Sequence, residues 1–476
     1  MNQKSVIASV LTASLLIAVS RTSLAQVPIT PNSAPPPLQN VQSFTIDGGP
    51  GSQFDPHVDG NLISYTYDAK DGTGNRVRYF RLGVDSAPQE IQIAFGEQDL
   101  LAHVSGSRIA YSHVSGTTTG INLFDTAQTP GSSNPMVVNP ASGVSRFSPA
   151  IRGQTIAYVD ATLDPNGELV VFDLSSSTAT RITNDTISDL YPELATDAST
   201  VVWMRCPVDT NHCDIWKAVK SGTAWTPAVV NDDPANDVYP DTNGSVVAYT
   251  SFRPSETDWD IFYRDSAAIE HELVLPGIQA GSHIVGDLIS FAGQDAGGRY
   301  DVFVYQISTN RLWNVTGTPD VDELLSGISV LPDGDVIIVY ESTERGAALT
   351  NIHAVTFTVP PVAATYDICP LYDAAKAKKS GSTYPIQIRL CDASGGNLSS
   401  SSIVVHATGV TQVSTNAPGT LADTGNSNPD FDFRFDATTA SYIFNLKTTG
   451  FATGTYALTF NAGTDPTVHT AMFQIK

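Results

Sequence analysis

At 476 residues, 41% apolar and 15% charged, the chain is long enough for two or three domains with sizeable cores. Its 48 acidic against 25 basic residues leave a net charge of −23, a field that repels nucleic acid and anionic membranes, so neither is expected as a partner. The excess suits a soluble exported protein; it also admits acidic loops that hold a divalent cation such as Ca2+, although the Asp-x-Asp-x-Asp-Gly spacing of a calcium loop is absent and no cofactor is expected.

Lys4, an apolar run from Ser5 to Ser20 and the small residues of Ser23-Leu24-Ala25 predict a signal peptide over 1–25, cleaved after Ala25. The run is short for a bilayer span, and no later stretch approaches the ~20 apolar residues of a membrane helix. With Gln26 rather than a cysteine directly after the cleavage point, the expectation is a periplasmic or secreted protein without lipid anchor or membrane insertion. Residues 26–41 carry Pro28, Pro31 and Pro35-Pro36-Pro37 without periodicity and read as a Pro-rich linker.

From Phe44 a repeat begins. Short strands with an aromatic near their ends recur at Ile63-Ser64-Tyr65, Ile109-Ala110-Tyr111, Ile156-Ala157-Tyr158, Val201-Val202-Trp203, Val247-Ala248-Tyr249, Ile289-Ser290-Phe291 and Ile338-Val339-Tyr340, stepping by 46, 47, 45, 46, 42 and 49 residues. A second strand follows each, as in Asp214-Ile215-Trp216 and Asp260-Ile261-Phe262. A third run precedes the first repeat, at Phe44-Thr45-Ile46, and is missing after the seventh. Four short strands per 40–50 residues are the pattern of propeller blades, because one small sheet cannot bury both faces and must stack on its neighbours. The phase of the third run predicts a ring closed by pairing the start of the chain with its end, leaving no open edge. The fold class is therefore all-β, a seven-bladed β-propeller over 42–359.

Asp-x-Tyr-Pro before the inner strand (Asp189-Leu190-Tyr191-Pro192, Asp237-Val238-Tyr239-Pro240), the Ala-Tyr strand end and Asp-[Ile/Val]-[Phe/Trp] resemble the TolB-like class of bacterial propeller repeats. The second and sixth copies lack the proline, with Leu101-Ala102 and Gly281-Ser282 in its place. The resemblance implies a fold that hosts binding, scaffolding and enzymatic roles alike.

After Pro360-Pro361 the repeats stop and longer alternating strands appear, such as Tyr384 to Leu390 and Thr455 to Phe460; they predict an immunoglobulin-like β-sandwich over 362–476. The stretch from Lys379 to Ile388 is similar to C-terminal PxKF-type Ig-like modules of exported bacterial proteins, with Gln387-Ile388 departing from the Lys-Phe of that motif. Four cysteines in two close pairs suggest disulfides Cys206–Cys213, at a hairpin mouth, and Cys369–Cys391.

Propellers bind ligands on the axis. Aligning the copies places Gln53, Asp99, Arg146, Asp189, Asp237 and Gln279, with a seventh member near Asp322, three residues before the proline position. This polar set would either ring a channel mouth and bind a protein, peptide or glycan, or hold its own loops together by hydrogen bonds. The repeated aromatics read as packing between blades; Trp225 and Trp259, in polar loops outside the repeat positions, are the better candidates for ligand contact. No Gly-x-Ser-x-Gly elbow, His-Glu-x-x-His or comparable metal spacing among the nine histidines, nor sialidase box occurs, so no catalytic or metal-ligating residue is expected. The function expected is non-enzymatic binding or scaffolding in the cell envelope or outside the cell. The alternatives are a carbohydrate-active hydrolase or lyase using Asp99, Asp189 and Asp237, and a structural or adhesive surface component.

Overall fold

The computed structural model describes residues 26–476 except 130–133, 208–211, 232–233, 255–257, 296, 345–346, 362–364, 415–416 and 423–428; the expected signal peptide lies outside them. The chain forms two compact units, Met1–Pro360 and Pro361–Lys476. Apart from one parallel edge strand in the first, both are built of antiparallel strands, and no helix among the described residues is long and apolar enough to cross a membrane.

Among the described residues of the first unit the strands fall in seven sheets. The leading strands are Ser52–Asp59, Gln98–Ser105, Arg146–Arg152, Ser188–Leu194, Asn236–Thr242, Gln279–Val285 and Val321–Val330. Each touches the leading strand of the next sheet, and the last touches the first, so they surround an axis. The sheets stack in a closed cycle, a β-propeller. Its core is seven apolar layers, each shared by two consecutive sheets.

The repeated aromatics explain the stacking. Tyr65, Tyr111, Tyr158, Trp203, Tyr249, Phe291 and Tyr340 are all buried, and each packs into the layer shared with the preceding sheet. Trp203, for instance, lies with Trp216 against Ala150, Ala157 and Val171 of the third sheet. A blade buries its second face only by receiving its neighbour's aromatic, which is why the repeat must keep one large ring per copy.

The outer strand of the seventh sheet is Gln39–Asp47, from the start of the chain, paired with Asn351–Thr358 from the end of the unit. Asp47 at its tip accepts hydrogen bonds from Tyr65 Oη at 2.8 Å and Arg78 Nη1 at 3.0 Å in the first sheet. Residues 26–41 are not the free linker read from their prolines. Gln26–Ile29 adds a parallel strand to the edge of the fifth sheet, Asn32 bridges Arg311 of the sixth, and Trp313 Nε1 donates to the Pro36 carbonyl at 2.8 Å. Proline suits such an edge, since its missing N–H removes nothing on the solvent side. The segment is a strap laid across the outer edges of three sheets.

The second unit has two four-stranded sheets that face one another across a single core. Alternation along Thr383–Cys391 turns Tyr384, Ile386, Ile388 and Leu390 inward against Leu458, Phe460 and Phe473 of the other sheet. Both disulfides are formed, Cys206–Cys213 from the end of Thr200–Cys206 to the residue just before Asp214–Ser221 in the fourth sheet, and Cys369–Cys391 between Asp367–Pro370 and Thr383–Cys391.

Candidate functional site

Every leading strand of the propeller breaks register with the second strand of its sheet at one place, between Phe54 and His57 in the first sheet and at the equivalent positions of the other six. The bypassed residues include Asp55, Leu101, Ser148, Tyr191, Tyr239 and Gly281, all with φ between 48° and 69°, and the prolines at 56, 149, 192 and 240 directly follow four of them. A bulge is where a strand tolerates both a left-handed residue and a proline. The preceding sheet pins it. Leu101 N–H donates to Thr66 Oγ1 at 3.3 Å, Ser148 N–H to Ser112 Oγ at 3.2 Å, Gly281 N–H to Thr250 Oγ1 at 3.0 Å and Asp55 N–H to Glu341 Oε1 at 3.2 Å. Each acceptor directly follows a packing aromatic, so one dipeptide both fills the core and holds the neighbour's bulge.

The bulge re-aims the residue after the proline position. Around the axis these residues are His57, His103, Ala150, Glu193, Asp241, His283 and Gly327. Two axial cavities share His57, His103, Glu193 and His283: an upper one of about 100 Å3, walled by the bulges with Tyr191 and Tyr239, and a lower one of about 160 Å3 reaching Arg152, Ile284 and Ile328. The four shared side chains form a waist between two chambers. Ala150 is buried in the layer between the third and fourth sheets, and Gly327 brings no side chain, its Cα packing beside Pro56 and His57, so neither contributes a polar group to the ring.

Within the waist, His103 Nε2 lies 2.9 Å from Glu193 Oε2, and its Nδ1 receives the Ile151 N–H at 3.4 Å. The His57 ring stands 4.7 Å from that of His103 and, edge on, 6.1 Å from that of His283. His57 Nδ1 is buried with no hydrogen-bond partner among the described residues. Burial, with His103 beside it, pushes the His57 imidazole down to about 3, so it is neutral near pH 7. Burial works against the charge of Glu193, but His103, His57 and His283 together outweigh it and hold the carboxyl below the usual range. His283 is likewise opposed by burial yet raised by Asp241, whose Oδ2 is 3.5 Å from Nδ1 and also accepts the Ile284 N–H at 2.8 Å.

The polar set expected at the channel mouth occupies a different place. Gln53, Asp99, Arg146, Asp189, Asp237 and Gln279 are buried, as is Glu323, which takes the seventh position in place of Asp322, and none of them lines the two axial cavities. They hold their own sheets. Asp99 meets His113 Nδ1 at 2.7 Å, Arg146 Nε donates to Asp160 at 2.7 Å, Trp203 Nε1 donates to Asp189 at 2.7 Å, Asn231 donates to Asp237, and Gln279 donates to the Pro276 carbonyl at 3.3 Å. Gln53 Nε2 reaches the Gly49 carbonyl at 3.5 Å. Trp259 is buried against Phe252 at 5.4 Å, and Trp225 lies in the outer strand Ala224–Val229 under Lys220 rather than in a loop.

Asp189 gives a test of this structural placement. Burial pushes its carboxyl up to about 6 against the pull of Thr183, Arg205 and Trp203. With a folded value above the unfolded ~4, ionisation opposes folding; the cost is absent below pH 4, grows between pH 4 and 6 and stays constant above. Asp189→Asn, which keeps an oxygen for Trp203, should melt higher than the parent at pH 7 and equal to it at pH 4. The same difference at both pH values would contradict the assignment.

The sequence reading expected no metal spacing among the histidines, yet three donors meet at the waist: ligand atoms of His57, His103 and Glu193 all lie within 4.8 Å of one another. They come from the first, second and fourth sheets.

No family model matches the chain and no curated protein is similar to it. Among solved structures, it is similar to the β-propeller domain of the Trilobed protease from Pyrococcus furiosus, at 12% identity over 66% of this chain and 94% of that chain with a TM-score of 0.48. An oligogalacturonate lyase from Vibrio parahaemolyticus is similar at 12% identity over 68% and 98%, TM-score 0.47. TolB from Acinetobacter baumannii is similar at 16% identity over 65% and 79%, TM-score 0.37. The axial residues are therefore read on their own chemistry.

Proposed function

We propose that this chain is an exported binding protein, periplasmic or extracellular: a seven-bladed propeller of TolB-like type, followed by a PxKF-type immunoglobulin-like sandwich, that receives part of a protein or peptide partner at the axial mouth. The size of the upper chamber carries this reading. At about 100 Å3 it holds several waters or one extended side chain, and falls well short of the ~300–1,000 Å3 of a pocket that engulfs a drug-sized ligand. A saccharide chain cannot lie inside it, which weighs against a lyase or hydrolase acting there. A protruding side chain or chain end fits, with Tyr191 and Tyr239, 5.6 Å apart, as apolar walls and the waist residues as polar floor. The seven sheets and the shared last sheet support the blade count, the facing sheets of the second unit support the sandwich, and the two disulfides are compatible with an oxidising compartment.

The test is site-specific photocrosslinking in intact cell envelopes. A photoreactive residue replacing Tyr239 should yield one discrete protein adduct, lost on Tyr191→Ala, while the same group at exposed Leu163 should not. Equal adducts from both positions, or none from position 239, would overturn the reading. Shortening of a polysaccharide by the purified protein would favour the carbohydrate-active alternative instead.

A further inference from the structure

We propose that His57, His103 and Glu193 bind a divalent first-row transition metal ion at the waist of the propeller channel. The ion needs only these side chains, so it stands whether or not the upper chamber takes a partner.

Geometry comes first. Ligand atoms of the three residues lie within 4.8 Å of one another, and donors held ~2.0–2.2 Å from a common ion stand roughly 3–4 Å apart, so a small inward movement of side chains completes the set. The bulges before His57 and His103 are pinned by hydrogen bonds from the preceding sheet, and Glu193 follows a bulge of the same form. A second observation points the same way: the buried Nδ1 of His57 has no hydrogen-bond partner among the described residues. An orphaned buried nitrogen costs free energy unless something absent from the protein chain satisfies it. The two cavities meeting at the waist give an ion a path in and leave room for coordinated water.

Donor chemistry selects the ion. Two imidazoles and one carboxylate suit zinc, cobalt, nickel or iron; calcium and magnesium prefer all-oxygen sites. The ion replaces the proton between His103 Nε2 and Glu193 Oε2. That proton moves to His103 Nδ1, which gives up its long 3.4 Å contact from the Ile151 N–H. His283, held by Asp241, flanks the triad without belonging to it.

The experiment titrates chelator-treated full chain with Co2+, reading visible absorption and melting temperature. One equivalent should bind, raise the melting temperature and be displaced by Zn2+ but not by a large excess of Ca2+ or Mg2+. His57→Gln and Glu193→Gln should each weaken binding at least about a hundredfold, while His283→Gln stays within about tenfold of the parent. X-ray absorption of the loaded parent protein, which depends on no variant, should show imidazole scattering. Failure of the parent to take up one equivalent, absence of imidazole from its coordination, or undiminished affinity in a His57→Gln protein that melts cooperatively would each overturn the site. Loss of the partner crosslink at position 239 with ion binding intact would overturn only the binding function.

Discussion

Deleting residues 26–48 is expected to unfold the propeller at room temperature, whereas deleting 26–38 alone should lower its melting temperature by only a few degrees. The longer deletion removes the strand paired with Asn351–Thr358, the buried Ile46, and Asp47 with its bonds from Tyr65 and Arg78. At about 1 kcal/mol net per backbone hydrogen bond and roughly 2–3 kcal/mol for a buried isoleucine, the loss exceeds about 5 kcal/mol. That is comparable with the ~5–15 kcal/mol by which whole domains are stable. The shorter deletion removes the four-residue parallel strand, the Asn32 bridge, the Trp313 bond to Pro36 and the partly buried Ile29 and Leu38 at the margins of two core layers. Circular dichroism melts of both truncations decide it. A cooperative melt of the longer truncation within about 5 °C of the parent would show that the ring does not depend on this closure. Asp47→Ala isolates the tip of the strand, since it strands the buried Tyr65 hydroxyl.

The second large effect is at Trp203. Trp203→Ala should cost about 3–5 kcal/mol, because the side chain is fully buried between the third and fourth sheets and its indole N–H satisfies Asp189. Trp225→Ala, in an outer strand with Lys220 across its face, should cost under about 1 kcal/mol. The comparison uses urea midpoints at pH 7. Equal costs would mean that the repeated aromatic is not what fastens one blade to the next.

The strength of that contrast comes from the repeat, and the repeat is the part of the fold the chain displays openly. A period-2 apolar pattern in short runs, one aromatic per 42–49 residues and a third strand shifted in phase to the start of the chain are local signals. They led to the ring of sheets, its closing strand and the packing role of the aromatics, and the close spacing of the cysteines led to the two disulfides. The prolines at 28, 31 and 35–37 misled, because a strand added to a sheet edge forms few bonds of its own and looks, in sequence, like a linker.

The candidate site was present in the same alignment but hidden by phase. Three residues before the proline position, Asp99, Asp189 and Asp237 suggested a polar mouth; one residue after it, His57, His103, Glu193, Asp241 and His283 form the actual axial ring. Strand alternation says only that neighbours point to opposite faces. A bulge inserted between the two positions resets which face is which, and its pinning bonds come from the preceding sheet. No spacing rule for metal ligands could find His57, His103 and Glu193, which lie 46 and 90 residues apart along the chain. Sequence by itself determined how the blades are made and how they stack, since that depends on residues a few positions apart. Only the tertiary structure decided what faces the axis, because the ring takes its side chains from five different sheets and their convergence exists only once the circle is closed.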